Sequence, residues 1–182
     1  VFFPDKTKEP HHYNTDMPGF RWYPDRADYH ALYVGAEGAE GATVRGDASV
    51  QYLYSKTAAA EMAADVPHAR ILICLREPVD FVRSYHNQMR TNLDEDRPLR
   101  DAWDASEQRR DVAREPSMLD YKAVGLFAEQ IDRYRAVFSD EQIRILRLRD
   151  FIADPRRSYL SLLGWLGLPD DGRMDFPAVH KA

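Results

Sequence analysis

A cation and a hydroxyl group are spaced along the chain so that they could bind one anion. The apolar run at 71–75 predicts a buried strand that stops at Arg76, and Pro78 stands where a helix would take its first turn. Ser84 follows nearly two helical turns later. Such a strand and helix would present both side chains at the carboxyl edge of a parallel sheet, where α/β folds bind ligands. The alternative is a salt bridge from Arg76 to a neighbouring acid such as Glu77, with Ser84 a surface residue.

The elements that must position this motif follow from apolar spacing and from the placement of proline and glycine. Residues 1–46 predict loop with short helical pieces. The further predictions are a helix at 55–65 with Ser55 as its N-cap, a strand at 70–75, a helix at 78–92, a solvated helix at 98–110, a helix at 119–138, a strand at 143–148, and a helix from Pro155 to Trp165 that Gly167 ends. Strands that alternate with helices predict a three-layer α/β/α fold with a parallel sheet.

Length and composition limit the class of protein. A chain of 182 residues can bury one sizeable core, so we expect a single domain over 1–182. The net charge of −5 argues against a nucleic-acid partner. No apolar run is long enough to predict a membrane span, and no signal-peptide pattern opens the chain. The single cysteine, Cys74, lies in the predicted strand, which favours a packing role and a reducing, cytoplasmic compartment.

The segment from Arg70 to His86 resembles the 3′-phosphate-binding motif of sulfotransferases, which has Arg-(Asp/Glu)-Pro and a serine eight residues after the arginine. Lys-Glu-Pro-His-His-Tyr at 8–13 resembles a segment of bacterial and glycan sulfotransferases, and 46–53 resembles their Gly-Glu-Lys-Ser-Pro-x-Tyr-Leu stretch. The resemblance implies the P-loop-type sulfotransferase fold. It also implies 3′-phosphoadenosine-5′-phosphosulfate (PAPS) as cofactor, with Arg76 and Ser84 on its 3′-phosphate.

Three places depart from this family pattern. The family's 5′-phosphosulfate loop, a Gly-Thr-Thr-like turn, is absent, so we expect it and the first strand upstream of Val1. The Glu-Lys pair of the Gly-Glu-Lys-Ser stretch is Asp47-Ala48 here, which removes a lysine. The chain stops at His180-Lys181, where the family often has a basic loop that closes over the cofactor, and Lys181 is a further candidate ligand of the 3′-phosphate.

The resemblance also assigns candidate catalytic residues. It places the general base of glycan-modifying relatives at Glu9, whose carboxylate would take the proton of the attacking acceptor. Histidine is the base in the small-molecule branch of the superfamily, which makes His11 or His12 the rival. Because adjacent residues of an extended chain point to opposite sides, we expect at most one of the two in the cleft. Lys8 could stabilise charge on the transferring group. No metal is expected.

The resulting expectation is an enzyme that moves a sulfuryl group from PAPS to a hydroxyl, or in second place an amine, of a small-molecule or glycan acceptor. Two alternatives stay open. A P-loop nucleotide kinase-like enzyme would need a Gly-x-x-x-x-Gly-Lys-(Ser/Thr) loop upstream and an acidic magnesium ligand. A non-catalytic relative could bind a nucleotide or a partner protein. The sequence names neither the acceptor nor the oligomeric state.

Overall fold

A computed structural model describes residues 1–4, 7–34, 39–108 and 116–177. Its helices are α1 (Arg26–Ala31), α2 (Ala58–Asp65), α3 (Pro78–Thr91), α4 (Leu99–Ala105), α5 (Tyr121–Val124), α6 (Phe127–Arg135), α7 (Leu148–Ala153) and α8 (Pro155–Leu166). The strands are β1 (Ile71–Leu75) and β2 (Ile143–Arg147), which pair in parallel with Ile71 opposite Ile143 and Leu75 opposite Arg147. The predicted α/β class with a parallel sheet is confirmed.

Local signals placed several element ends correctly. Pro78 opens α3 and Pro155 opens α8, since a proline at the first helical position loses no hydrogen bond. Gly167 ends α8 in the left-handed conformation, with φ of 72°. The N-cap predicted for α2 is wrong, because the helix begins at Ala58 and its N-cap is Thr57; the Ser55 Oγ still accepts a hydrogen bond from the Ala58 N–H at 3.0 Å.

The single helix predicted at 119–138 is wrong, because the segment divides into α5 and α6. Gly125 and Leu126 separate the two helices. The side chain of Gln130 donates to the carbonyl oxygens of Ala123 and Val124, each at 3.0 Å. This side chain satisfies carbonyls that a continuous helix would have bonded internally, so the Ala123 and Val124 oxygens keep partners at the break.

The strand predicted as buried is buried at one residue only. Ile73 is buried, whereas Leu72 is 39% exposed and the thiol-bearing Cys74 is also exposed. Successive strand residues face opposite sides of a sheet, and the described part of the chain covers only the Ile73 side. The packing role predicted for Cys74 is therefore wrong.

Two hydrophobic clusters hold the helices together with the N-terminal segment, by which we mean the residues before α1. The first joins this segment to α1, α2 and α6 through Phe2, Tyr13, Tyr29, Tyr33, Ala39, Tyr52, Ala58, Ala59, Met62, Tyr134 and Phe138. The second joins it to α3, α4 and α5 through Met17, Val82, Met89, Ala102, Met118, Leu119 and Tyr121. Ala102 is fully buried, so α4 packs on one face and is not the fully solvated helix that the charged sequence predicted.

The N-terminal segment contributes to both clusters within a few residues. Tyr13 is 4% exposed in the first cluster, and Met17 is 1% exposed in the second. Backbone just before Tyr13 is therefore held against the body of the protein although it has no regular secondary structure. Among the described residues, no helix has the length and apolar character that crossing a membrane requires.

Candidate functional site

Two side chains of the N-terminal segment, those of Lys8 and His11, contact the carboxylate of Glu9. One oxygen of Glu9 lies 3.5 Å from the Lys8 Nζ, and its other oxygen lies 3.5 Å from the His11 Nε2. The Glu9 side chain is 31% exposed, whereas that of His11 is 4% exposed. The carboxylate is thus open to a ligand on one side and backed by a buried imidazole on the other.

The backbone of His11 has an unusual conformation. Its φ is 52°, in the left-handed region that residues other than glycine seldom adopt. A residue is kept there only when its surroundings enforce it, at a cost of about 1–2 kcal/mol. In this conformation the His11 Nε2 lies 3.5 Å from the Glu9 carboxylate.

Burial lowers the pKa of His11, and the negative charges of Glu9 and Asp47 oppose that effect without cancelling it. The imidazole is therefore mainly neutral at neutral pH. In the described part of the chain, its buried Nδ1 has no hydrogen-bond partner. A neutral ring with one unused nitrogen can hold a proton at either nitrogen as its surroundings change.

The ring of the neighbouring His12 is buried and packs against Tyr23 and Tyr29. Its Nδ1 contacts the carbonyl oxygen of Tyr23 at 2.5 Å, and its ring stacks on Tyr29 with centroids 4.3 Å apart. The guanidinium of Arg21 donates to the His12 carbonyl oxygen at 2.7 Å. The two adjacent histidines have different surroundings, and only His11 lies beside the carboxylate.

A hydrogen-bonded group behind this segment was not identified from the sequence as part of a site. The Asp47 carboxylate accepts hydrogen bonds from the hydroxyls of Ser49 at 2.6 Å, Tyr52 at 2.8 Å and Tyr29 at 3.1 Å. Ser49 and Tyr52 in turn accept from backbone N–H groups of the N-terminal segment. The spacing of Asp47 and Ser49 could have suggested a local turn, but nothing local indicates a bond to a segment 38 residues away.

The burial of these tyrosines and the nearby Asp47 charge raise the pKa values of Tyr29 and Tyr52 above the ordinary range. Both phenols therefore stay protonated and keep donating to the carboxylate.

Arg76 and Ser84 lie in one strand–turn–helix unit, as the sequence predicted. Arg76 is exposed directly after β1, and no carboxylate of the described residues lies within 4.0 Å of its guanidinium. The neighbouring Glu77 instead pairs with Arg149 at 3.3 Å. The salt bridge considered as the alternative is thus not formed within the described part of the chain.

Ser84 is half-buried on α3, and its hydroxyl has no hydrogen-bond partner among the described residues. The N-terminus of α3, a helix of 14 residues, begins two residues after Arg76. A guanidinium, an available hydroxyl and a helix N-terminus are all groups that favour a phosphate. Lys181, the third predicted ligand, lies outside the described residues.

No group of three or more His, Cys, Asp or Glu side chains within the described ranges is arranged to hold a metal ion.

Comparisons with known proteins agree with this architecture. Residues 7–177 match the family described as the sulfotransferase domain. The crystal structure of a sulfotransferase from Alicyclobacillus acidocaldarius matches with a TM-score of 0.78 and 30% sequence identity, over 97% of this chain and 76% of that chain. No curated protein matches the sequence. Because the family match spans nearly the whole chain and the structural match shares both sequence and fold, this chain belongs to the sulfotransferase domain family.

Proposed function

We propose that this chain, acting as a single domain, transfers a sulfuryl group from PAPS to the hydroxyl of a small-molecule or glycan acceptor. Family membership supports sulfotransfer in general. The specific proposal rests on the contacts of Glu9 with Lys8 and His11. These contacts place a partly exposed carboxylate between an ammonium group and a buried imidazole. The exposed Cys74 thiol suits a reducing compartment, and we place the reaction in the cytoplasm.

The residues present fit a nucleotide that carries a 3′-phosphate. Arg76 offers its guanidinium, which can bind phosphate through two parallel hydrogen bonds, and Ser84 offers a hydroxyl. PAPS, when bound, supplies a sulfuryl group that is already activated by its phosphate leaving group. Arg76 and Ser84 would hold the end of the nucleotide that does not react, so that its binding free energy helps to orient the reacting end.

Glu9 would accept the proton of the acceptor hydroxyl as the acceptor oxygen bonds to sulfur and the bond from sulfur to the leaving phosphate breaks. A positioned carboxylate can perform this general base step without a metal ion. The neutral His11 ring would orient the Glu9 carboxylate from behind. Lys8 would stabilise negative charge that builds up on the transferring group.

The first test is a calorimetric titration of the full-length protein with adenosine 3′,5′-bisphosphate, the product nucleotide. Loss of a charged, hydrogen-bonded contact costs about 1.5–3 kcal/mol, so Arg76→Ala should weaken binding by about 10- to 100-fold. Arg90→Ala is the matched control, because Arg90 is an exposed arginine at the other end of the same helix.

Equal affinity of the Arg76→Ala and Arg90→Ala variants would remove Arg76 from the donor site. No binding by the parent protein would contradict PAPS as donor. Nucleotide binding without transfer to any of a panel of hydroxyl acceptors would favour a non-catalytic relative. This alternative is motivated by Ala48, which stands where the family stretch has a lysine.

A further inference from the structure

We propose that Asp47 is the positioning residue of the Glu9–His11 pair. Its carboxylate orients two hydroxyl groups, and these hydroxyls then hold the backbone N–H groups of His11 and His12. The catalytic meaning of this arrangement rests on the proposed function, whereas the structural link can be measured without turnover.

The direction of each hydrogen bond follows from which group can donate. An ionised carboxylate only accepts, so the hydroxyl of Ser49 must donate its proton to Asp47, at 2.6 Å. The lone pairs of the Ser49 Oγ are then free to accept the His11 N–H, which they do at 2.9 Å. The backbone N–H of Ser49 donates to the same Asp47 oxygen at 2.9 Å, which fixes the turn that carries the hydroxyl.

Tyr52 makes an equivalent link to His12. We call each such link, in which a hydroxyl donates to Asp47 and accepts a backbone N–H, a relay. The Tyr52 hydroxyl donates to the second oxygen of Asp47 at 2.8 Å and accepts the His12 N–H at 2.8 Å. Ala48, the residue before Ser49, donates its backbone N–H to the carbonyl oxygen of Lys8 at 3.0 Å. Three bonds therefore tie the segment at 8–12 to the turn that Asp47 organises.

This tie explains how His11 keeps its left-handed backbone. The hydrogen-bonded N–H groups of His11 and His12 belong to the two peptide groups that flank the His11 Cα, so the bonds lie on both sides of the residue whose φ is 52°. With both hydroxyls held by Asp47, the conformation that brings the His11 Nε2 to 3.5 Å from Glu9 stays populated. Without them, an ordinary backbone conformation would turn the ring away from the carboxylate.

Asp47→Asn is the decisive change. An asparagine amide keeps one acceptor oxygen and replaces the other by an NH2 group, so at least one hydroxyl must rotate and lose its relay. We expect kcat to fall by about 10- to 100-fold, as one mispositioned catalytic group costs, with the KM for the donor unchanged. Asp47→Glu keeps a carboxylate and should restore kcat to within a few-fold of the parent.

Ser49→Ala tests the same relay with a smaller change, since it removes one hydroxyl and leaves the Asp47 charge in place. Asp65→Asn is the matched control. Asp65 also accepts from a tyrosine hydroxyl, that of Tyr13 at 2.9 Å, and from His30 at 3.0 Å, but it has no bond to the segment at 8–12. The kcat of the Asp65→Asn variant, per folded molecule, should equal that of the parent.

A readout without turnover separates this inference from the proposed function. In ¹⁵N NMR spectra, Asp47→Asn and Ser49→Ala should shift the His11 amide resonance, and Asp65→Asn should not. Loss of the Asp47 charge should also lower the pKa of the His11 ring below that of the parent, because this charge opposes the effect of burial.

Unchanged His11 signals in Asp47→Asn would overturn the positioning role, whether or not the protein transfers sulfate. A kcat for Asp47→Asn no lower than that of Asp65→Asn, in an active protein, would overturn it as well. If no acceptor is found and the His11 signals still move, the link from Asp47 to His11 holds and only the proposed reaction fails.

Discussion

At the scale of single residues, the N-terminal segment brings a carboxylate, an ammonium group and an imidazole together within four residues of sequence. Glu9 is the member open to solvent, and His11 is the member that the protein encloses. Since a base must reach its substrate, this difference in exposure favours Glu9 as the proton acceptor and His11 as the group that orients it.

Glu9→Gln should lower kcat by about 100-fold or more, because a general base contributes about 10²–10⁴ to the rate. The glutamine is nearly isosteric, so binding of the donor nucleotide should not change. Steady-state kinetics of sulfate transfer, with the donor affinity measured separately, checks both statements.

Glu129→Gln is the control for that experiment, since Glu129 is an exposed carboxylate on α6. If Glu9→Gln retained the parent rate, the base would be a histidine or water instead. A parallel His11→Gln variant with the larger loss would identify the histidine.

At the scale of elements, two glycines at the end of α8, three positions apart, should have opposite effects on stability when each is replaced by alanine. Gly164 lies inside the helix, and Gly167 follows its last residue with φ of 72°. A β-carbon built at either glycine meets no heavy atom within 4 Å. Space is therefore not the difference between the two sites, and backbone conformation alone should decide the outcome.

Gly167→Ala should destabilise the protein by about 1–2 kcal/mol, the cost of a left-handed residue with a side chain. Gly164→Ala should stabilise it by about 0.5–1 kcal/mol, because alanine loses less conformational freedom than glycine in a helix. Urea unfolding of the two variants beside the parent measures both values. Changes of the same sign would show that packing, not backbone conformation, governs this end of α8.

At the scale of the whole molecule, buried titratable groups in the N-terminal region make the free energy of unfolding depend on pH. Burial lowers the pKa of His11 below its ordinary value of 6.5. Burial alone would raise the pKa of Asp65, but hydrogen bonds from Arg26, Tyr13 and His30 hold it below 3.8. Burial likewise works against the hydrogen bonds from Ser55, Lys56 and Thr57 that lower the pKa of Asp16.

Stability should therefore fall in two steps as the pH decreases. Below about pH 6.5, His11 binds a proton in the unfolded chain but stays neutral in the folded protein, because its pKa is lower there. The free energy of unfolding therefore falls by at most about 1.4 kcal/mol per pH unit for this group. Below about pH 4, Asp16 and Asp65 become protonated in the unfolded state first, which lowers stability again. Chemical denaturation over this pH range measures both steps.

His11→Gln should remove the upper step and leave the lower one in place. His68→Gln is the control, since His68 is exposed. A parent protein whose stability stayed constant between about pH 7 and 5 would contradict the buried, neutral state of His11.

Several parts of the fold were predictable because the signals act over a few residues. Pro78 and Pro155 placed the starts of two helices, and the apolar run at 71–75 and the mixture of apolar residues and arginines at 143–148 placed the two strands. The break at Gly125 was not predictable in this way, since the apolar spacing continues across it. Only the contact between Gln130 and the carbonyls of α5 shows why two helices are stable there.

Sequence patterns are sufficient to identify which reactive groups this protein has and which of them share an element: Arg76 and Ser84 on one strand–turn–helix unit, and Lys8, Glu9 and two histidines on one loop. The folded structure was needed to show that His11, and not His12, lies beside Glu9. The physical reason is distance along the chain. The backbone angle of His11 is held by hydroxyls on a turn 38 residues away, and no local pattern records a hydrogen bond of that range.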